Sequence, residues 1–459
     1  MSRSRRSSAD RGPASGVTAV PAAGRGPRPV SAGRRWTPVR VALVGAGVVA
    51  ASLLLVRGIV GWNDSRARVL EAECKRAHQT GRYADEERLA REWAGVAPGE
   101  AAPIFFLAEA QLGQGKQREA ADTFASLPDG DPLTITGLSD RVDLLFGDLR
   151  DPHEAARTCE RILAQDPGNV DAHRRLCFYD CITLDRAGLA EHARRAIERG
   201  AELPETYVYL VGSDWMTLSN TLSVNSHWLQ AAPDDETFLV AAARGFVSNA
   251  GLEDDVAGES PDEKVEPEHD RRLRELLERF PGNLELLAYF LQKATTRGDI
   301  DMVTELLGQA PPEAESDNRF WRFKGWVHDQ GGESDEAEAA YRRALAIEPF
   351  DFLSQHQLAA VLRKRGQAEE AARLTRLAAD GRTLRKRILQ APDVRAMPPD
   401  VLREIGAYVG ACGDRDIAER LRGRIEQIGA AAGGDGRTGG VVPKGGGPRS
   451  AVQGGVRIP

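Results

Sequence analysis

From about residue 65 to 430, apolar side chains recur at spacings of three and four. Ala, Leu, Glu and Arg dominate this stretch and alternating β-branched residues are scarce. The period puts the apolar positions on one face of a helix and predicts amphipathic α-helices throughout. A different pattern precedes them. Val41-Ala-Leu-Val-Gly-Ala-Gly-Val-Val-Ala-Ala-Ser-Leu-Leu-Leu-Val56 is apolar on every face; Arg57 interrupts it and Gly-Ile-Val-Gly-Trp62 follows. As a helix, residues 41–60 extend about 30 Å, the depth of a bilayer core. Trp36 and Trp62 bracket the run as interface anchors do, and Arg57 lies where its side chain can snorkel to the headgroups. The pattern predicts a transmembrane helix over 39–62. Gly47 and Ala51 form a small-xxx-small pair that suits self-association, and so a homo-oligomer.

Other readings of the run compete. A cleaved signal peptide fits poorly, because the leader is long and no small-x-small site follows Val56. Arg34-Arg35 resembles a twin-arginine signal, but its surroundings do not follow that pattern. Val44-Gly45-Ala46-Gly47-Val48-Val49-Ala50 mimics a dinucleotide fingerprint. That fingerprint needs an amphipathic helix and a second strand ending in an acid, whereas here the next long stretch is polar and helical. A buried helix of a soluble domain is the remaining rival.

Periodicity organises the rest. Gly81 and Gly115 are 34 apart, as are Pro98 and Pro132, and Pro132 and Pro167 are 35 apart. Gly332/Gly366, Ala337/Ala371 and Ala344/Ala378 repeat the interval of 34. The clearest unit, 318–351, reads Trp321-x2-Lys-Gly325-x2-His328, then Ala337-x3-Tyr341, Ala344 and Pro349. It resembles the tetratricopeptide repeat family, whose pattern is Trp-x2-Leu-Gly-x2-Tyr, Ala-x3-Phe and Pro. Lys324 and His328 depart from the Leu and Tyr. Residues 101–134 resemble the family through Leu107, Ala108, Gly115, Ala120, Phe124 and Pro132. Residues 352–385 do so through Leu358, Ala359, Gly366, Ala371 and Ala378. Asp166-Pro-Gly-Asn169 and Phe280-Pro-Gly-Asn283 resemble its inter-repeat turns.

The pattern also has its own physics. Small Gly325 and Ala337 let two antiparallel helices approach, and Trp321 and Tyr341 fill the space between them. Gly332 permits the turn and Pro349 ends the second helix. Asn169 and Asn283 suit N-caps. A single pair cannot bury its apolar face, so pairs must stack. The expected fold class is all-α, a helix-turn-helix solenoid behind one N-terminal transmembrane helix. Pairs are expected near 67–100, 101–134, 136–169, 318–351, 352–385 and 399–430. In the last, Leu402, Gly406, Val409, Gly413 and Ala418 carry the signal. The solenoid covers 65–430, is irregular over 170–317, and holds an acidic loop at 251–270.

Composition fixes the ends. The chain has 459 residues and a net charge of −7. Residues 1–40 carry nine Arg and one acid, Asp10, leaving about −15 on the remainder. Poor in large apolar groups, residues 1–38 read as a disordered basic tail, held in the cytoplasm by its Arg excess. The last thirty residues contain ten Gly, so 431–459 reads as a disordered tail. With 41% hydrophobic, 28% charged and only five Cys, the chain is neither a polytopic membrane protein, nor wholly disordered, nor a disulfide scaffold. The expected location is a bacterial inner membrane, single-pass, with the repeats in the periplasm.

Candidate chemistry is sparse. His173, Cys177 and Cys181 fall on one helical face, but the outer two lie about 12 Å apart along the axis, too far to share one ion easily. Two small core residues is the simpler reading. Cys177–Cys181 as a bond is awkward within a helix. Residues 251–270 hold nine acids and Lys264 without the alternating order of a calcium loop, and read as a solvated loop. Residues 363–387 hold nine Lys/Arg and three acids but no aromatic for base stacking, so no nucleic acid is expected. No phosphate loop, HExxH, GxSxG or CxxCH occurs. The reading therefore assigns no catalytic residue, cofactor or metal, and no enzyme.

The resemblance implies a scaffold that takes a protein or peptide partner in a concave groove lined by inner helices. In this chain that surface would include Arg319, Arg322, Trp326, Asp329, His356 and Arg363. Arg and Trp favour a partner with carboxylates and an apolar anchor. The family's Lys and Asn carboxylate clamp is not found, and envelope protein assembly or secretion are the roles considered. The alternative is an enzyme or redox protein that uses Cys177/Cys181 on a helical frame.

Overall fold

The structure, a computed structural model, describes residues 38–249, 267–391 and 393–434. Side chains of 38–50, 58–59, 249 and 428–434 lie outside the description. So do residues 1–37 and 435–459 of the expected tails and most of the acidic loop, whereas 431–434, expected in the C-terminal tail, continue a helix. Among the described residues the fold is all-α, with no strand. The chain divides into two units, residues 1–62 and 63–459.

Helix α1 runs Pro38–Gln79. In the first unit its Leu53, Leu54, Leu55, Val56 and Trp62 are exposed. The expected span over 39–62 begins on residues whose side chains are not described. Among the described residues no helix is long and apolar enough to cross a membrane.

In the second unit helices pair as antiparallel hairpins. The end of α1 precedes α2 (Tyr83–Val96); then come α3 (Ala101–Gly113) with α4 (Gln117–Ala125) and α5 (Pro132–Phe146) with α6 (Pro152–Gln165). Next are α7 (Val170–Thr183) with α8 (Arg186–Arg199), the short α9 (Pro204–Gly212), and α10 (Thr221–Trp228) against α11 (Glu236–Asn249). After α12 (Glu268–Arg279) follow α13 (Leu284–Arg297) with α14 (Ile300–Gln309) and α15 (Asn318–Gln330) with α16 (Ser334–Ile347). The array ends with α17 (Phe352–Lys364) and α18 (Ala368–Gln390), then α19 (Pro399–Ala411) and α20 (Arg415–Gly434).

The repeat chemistry is visible at the junctions. Gly81, Gly115, Gly332 and Gly366 all have φ between +66° and +76°, a left-handed turn open to Gly at no steric cost. Asn169 and Asn283 cap α7 and α13 by accepting from backbone N–H groups. Inside the hairpin, a Cβ on Gly325 would sit 2.7 Å from the Tyr341 ring, so only Gly lets α15 and α16 approach this closely. Trp321 does not fill that gap. It is half-buried, its indole N–H donates to the Glu315 carbonyl at 3.0 Å, and Lys324 lies over its ring.

The middle departs from the repeat because α9 is a hub. Its Thr-Tyr-Val-Tyr-Leu-Val is apolar nearly all round, and Glu205 through Gly212 are all buried. A helix without a polar face must be covered on every side. α7 and α8 cover one side, α19 and α20 the other, in one core that runs from Cys177 through Tyr207 to Leu421. Polar ties join the same sequence-distant parts. Arg194 pairs with Asp414 at 2.8 Å, and Arg420 and Arg424 donate to the carbonyls of Ile197 and Glu202. Beside the hub, Trp228 of α10 is fully buried and donates to the Phe146 carbonyl at 3.2 Å.

Candidate functional site

The ends of several helices converge where the hub meets the flanking hairpins. They leave an open cavity of about 970 Å³. Its walls come from the start of α8, the Ser213-Asp214 step after α9, the start of α11, the 279–285 connector, the start of α15 and the end of α16. Helix ends bring unpaired backbone groups and capping side chains, so this lining is polar by construction.

Three buried charge clusters stand in or directly behind the walls. Glu285 is buried and bridges two cations, with Arg186 Nε at 3.2 Å and Arg319 Nη1 at 2.6 Å. Burial alone would raise its pKa, but the Arg186, Arg319 and Arg244 guanidiniums outweigh that and hold it at about 2. Arg319 also reaches Asp317, the α15 N-cap, at 2.6 Å. The second cluster centres on Asp351. It pairs with Arg322 at 2.7 Å and accepts from Asn318 Nδ2 at 3.0 Å and Ser354 Oγ at 2.5 Å. Asp214 stands further from Arg322, at 3.7 Å, and accepts weakly from Asn318 at 3.4 Å through the same Oδ2. The third is Glu348, whose carboxylate accepts from Ser213 Oγ at 3.0 Å and the Phe350 N–H at 3.1 Å. Burial, then the charge of Asp214, pushes Glu348 up to about 8. Burial, then the charge of Asp351, pushes Asp214 up to about 6.

The lining holds seven carboxyl side chains and three Arg. Each Arg is already paired: Arg186 and Arg319 with Glu285, and Arg279 with Asp234 at 2.9 Å. The cavity is therefore acidic.

The six residues named from the sequence do not form one patch. Arg319 lines the cavity and Arg322 lies in the Asp351 cluster, both buried with their charges met inside the fold. Trp326 is half-buried against the core of α11 to α15. Asp329 accepts from Lys364 at 2.7 Å, His356 is exposed, and exposed Arg363 donates to Thr375 at 3.3 Å. Sequence reasoning missed Arg186, Asp214, Glu285 and Glu348. A signal existed: Asp214 interrupts an apolar run from Tyr207 to Met216, and Glu285 sits between Leu284 and Leu286. A charge inside such a run is either paired or functional.

The remaining candidates resolve into packing. His173 shares a hydrogen bond with the Pro167 carbonyl at 3.0 Å. Cys177 and Cys181 are buried free thiols in the hub core. Burial raises both, Cys181 to about 12, which keeps them protonated and weakly nucleophilic. Asp270, counted from sequence with the loop acids, is instead buried in α12 and accepts from Lys293 and from Tyr289. Within 363–387, Arg365 pairs with Glu338, Arg373 with Glu370 and Arg387 with Asp400, a surface of solvated pairs.

No family model matches the sequence, and no curated protein matches it. Among solved structures, it is similar to a tetratricopeptide repeat protein from Parabacteroides merdae, at 14% identity and a TM-score of 0.24, over 65% of this chain and 99% of that one. It is also similar to human IFIT1 in a dimer with PPP-AAAA, at 14% identity and a TM-score of 0.30, over 80% of this chain and 94% of that one.

Proposed function

We propose that this chain is a helical-repeat scaffold that binds a protein or peptide partner and is held at a membrane by the start of α1. The observation that carries the reading is the open cavity of about 970 Å³, walled by six stretches far apart in sequence and braced by buried ion pairs. Such a pre-formed concave site is what a bound segment needs. Arg319 and Arg322 brace its wall, while Trp326, Asp329, His356 and Arg363 offer contacts on α15 and α17. The acid excess disfavours a phosphate backbone, and so a nucleic acid partner. No cofactor is invoked.

The tether is supported by the apolar run of 41–56 and by the exposure of Leu53, Leu54, Leu55 and Val56 in water. The Arg-rich stretch 1–40 favours a cytoplasmic N-terminus and repeats outside, in a bacterial inner membrane and its periplasm. There the scaffold would serve envelope protein assembly or secretion, with Gly47 and Ala51 available for self-association.

The test is photocrosslinking in intact membranes from the full-length chain, with the reactive residue at Glu313 in the cavity or at Asp122 on exposed α4. One defined partner captured from Glu313 and not from Asp122 supports the reading. No partner from either position refutes it. Alkaline carbonate extraction tests the tether: release of the protein into the supernatant sinks it.

A further inference from the structure

Asp214 is the group in the cavity that the fold leaves unsatisfied. Its side chain is only 8% exposed, yet Oδ1 has no hydrogen-bond partner. Oδ2 has two distant ones, Arg322 at 3.7 Å and Asn318 at 3.4 Å, and Arg322 is committed more closely to Asp351 at 2.7 Å. A buried carboxylate oxygen without a donor is costly, and such a group needs an explanation. Glu348 lines the same cavity, and the negative charge of Asp214 is the main charge acting on it. Glu236 and Glu313 stand exposed at the rim; among the described residues neither is paired with a cation, and Glu236 accepts from the Asn283 amide. Carboxyl groups thus outnumber cations in the lining, and every Arg there is already paired.

We infer that the cavity receives a cationic side chain of the partner segment, a lysine ammonium, which docks on the Asp214 carboxylate. One unsatisfied acceptor oxygen suits a compact ammonium with rotatable donors better than a guanidinium fork, which asks for two parallel acceptors. The rim acids steer the cation in, and the gain comes from desolvating it against a charge already buried. This proposal rests on the scaffold reading and narrows it: the partner is basic at the contact, the opposite of the acidic ligand that Arg319 and Arg322 suggest from the sequence alone. Burial and neighbouring charge push Asp214 and Glu348 upward, the strain that an arriving cation relieves.

The test uses the full-length protein in detergent and three labelled, end-blocked hexapeptides: hexalysine, hexaarginine and hexaglutamate. Fluorescence anisotropy at low salt reads their affinities. Hexalysine should bind most tightly. Asp214→Asn should weaken it about tenfold, the scale of one charge-assisted bond. Glu236→Gln at the exposed rim should weaken it less, and Asp122→Asn on α4, an exposed acid outside the cavity, should leave it unchanged. Circular dichroism confirms that each variant is folded, and Glu236→Gln keeps the test valid should Asp214→Asn unfold. Equal losses from Asp122→Asn and the cavity variants would mean non-specific attraction and overturn the proposal. Tighter binding of hexaglutamate, or no binding of hexalysine, would also overturn it. Neither result touches the scaffold reading, which falls only if Glu313 captures no partner in the membrane.

Discussion

Replacing Asp351 with Ala should damage this fold more than any surface change, and the structure shows how. The carboxylate does two separable jobs. Oδ1 accepts from the Leu353 and Ser354 N–H groups, both at 3.0 Å, and so caps α17. Oδ2 neutralises Arg322, which is buried and has its other carboxylate, Asp214, at 3.7 Å. Loss of a cap costs about 1 kcal/mol. Leaving a buried guanidinium without its partner costs about 3–5 kcal/mol. Together Asp351→Ala should cost about 4–6 kcal/mol, much of an ordinary domain's stability. Asp351→Asn keeps an oxygen at the cap and forfeits the charge, so it should cost about 1 kcal/mol less than Ala. Adding Arg322→Met to Asp351→Ala should recover part of the loss, because the stranded charge is gone. Urea denaturation followed by circular dichroism measures all three. A loss below about 1 kcal/mol for Ala, or a double variant worse than the single, would show that the pair is not what holds this wall. The pH dependence has a definite sign. Burial raises the Asp351 pKa, but Arg322 and the Ser354 contacts outweigh that and hold it below its ordinary 3.8. Its contribution is therefore present above about pH 4 and lost as pH falls below that.

Gly325→Ala should destabilise by about 1–3 kcal/mol, because its Cβ would meet the Tyr341 ring at 2.7 Å; an unchanged melting temperature would refute the close approach. His192 sits between Asp180 and, at 2.8 Å, Glu160. Burial opposes its charge, but hydrogen bonds to Asp180 and Glu160 prevail and raise it from 6.5 to about 9. Its stabilisation is therefore full below about pH 6.5 and lost as pH rises through about 9. The hydrogen bond from His192 is the main cause that lowers Glu160 from 4.5 to about 2, a contribution present above pH 4.5 and lost toward pH 2. Burial raises Asp180 to about 7, so it opposes the others with a penalty that grows between pH 3.8 and 7. His192→Gln should flatten the alkaline limb of a stability–pH curve, and an unaltered limb would discount the cluster. Native-state alkylation should reach half-buried Cys412 first and spare Cys177 and Cys181 until the protein unfolds; rapid labelling of the pair would revive the redox reading.

What could be read from the sequence follows from where each side chain's partners lie. Helix pairs such as 318–351 are local: Gly325, Ala337 and Tyr341 meet inside one hairpin, and α15 and α16 fill that interval. Period and turn glycines encode such contacts directly, which is why 34-residue spacings mark them. The hub is not local. Tyr207 and Val208 pack with Leu402 and Leu421 across some two hundred residues, and no spacing rule connects them. Between 170 and 317 the period drifts because α9 is buried on every side and cannot present the one polar face that a stacked hairpin keeps.

The same distinction explains why Arg319 and Arg322 read as free charge in the sequence and are paired in the fold. Arg319 and Arg322 stand on a first helix of the best repeat, where an inner surface is expected. Their carboxylates come from neighbouring Asp317 and from Asp214, Glu285 and Asp351, of which Asp214 lies more than a hundred residues away. A charged residue on a helical face therefore says nothing about free charge until the whole fold is closed. Once closed, each Arg in the cavity lining is consumed internally, and Asp214, from the irregular segment that has no repeat pattern, keeps one carboxyl oxygen without a donor. The departure from the repeat and the chemistry of the site thus share one cause. The hub helix ends at Gly212 inside the array, and Asp214, in the turn that follows its Ser213 cap, lines the cavity.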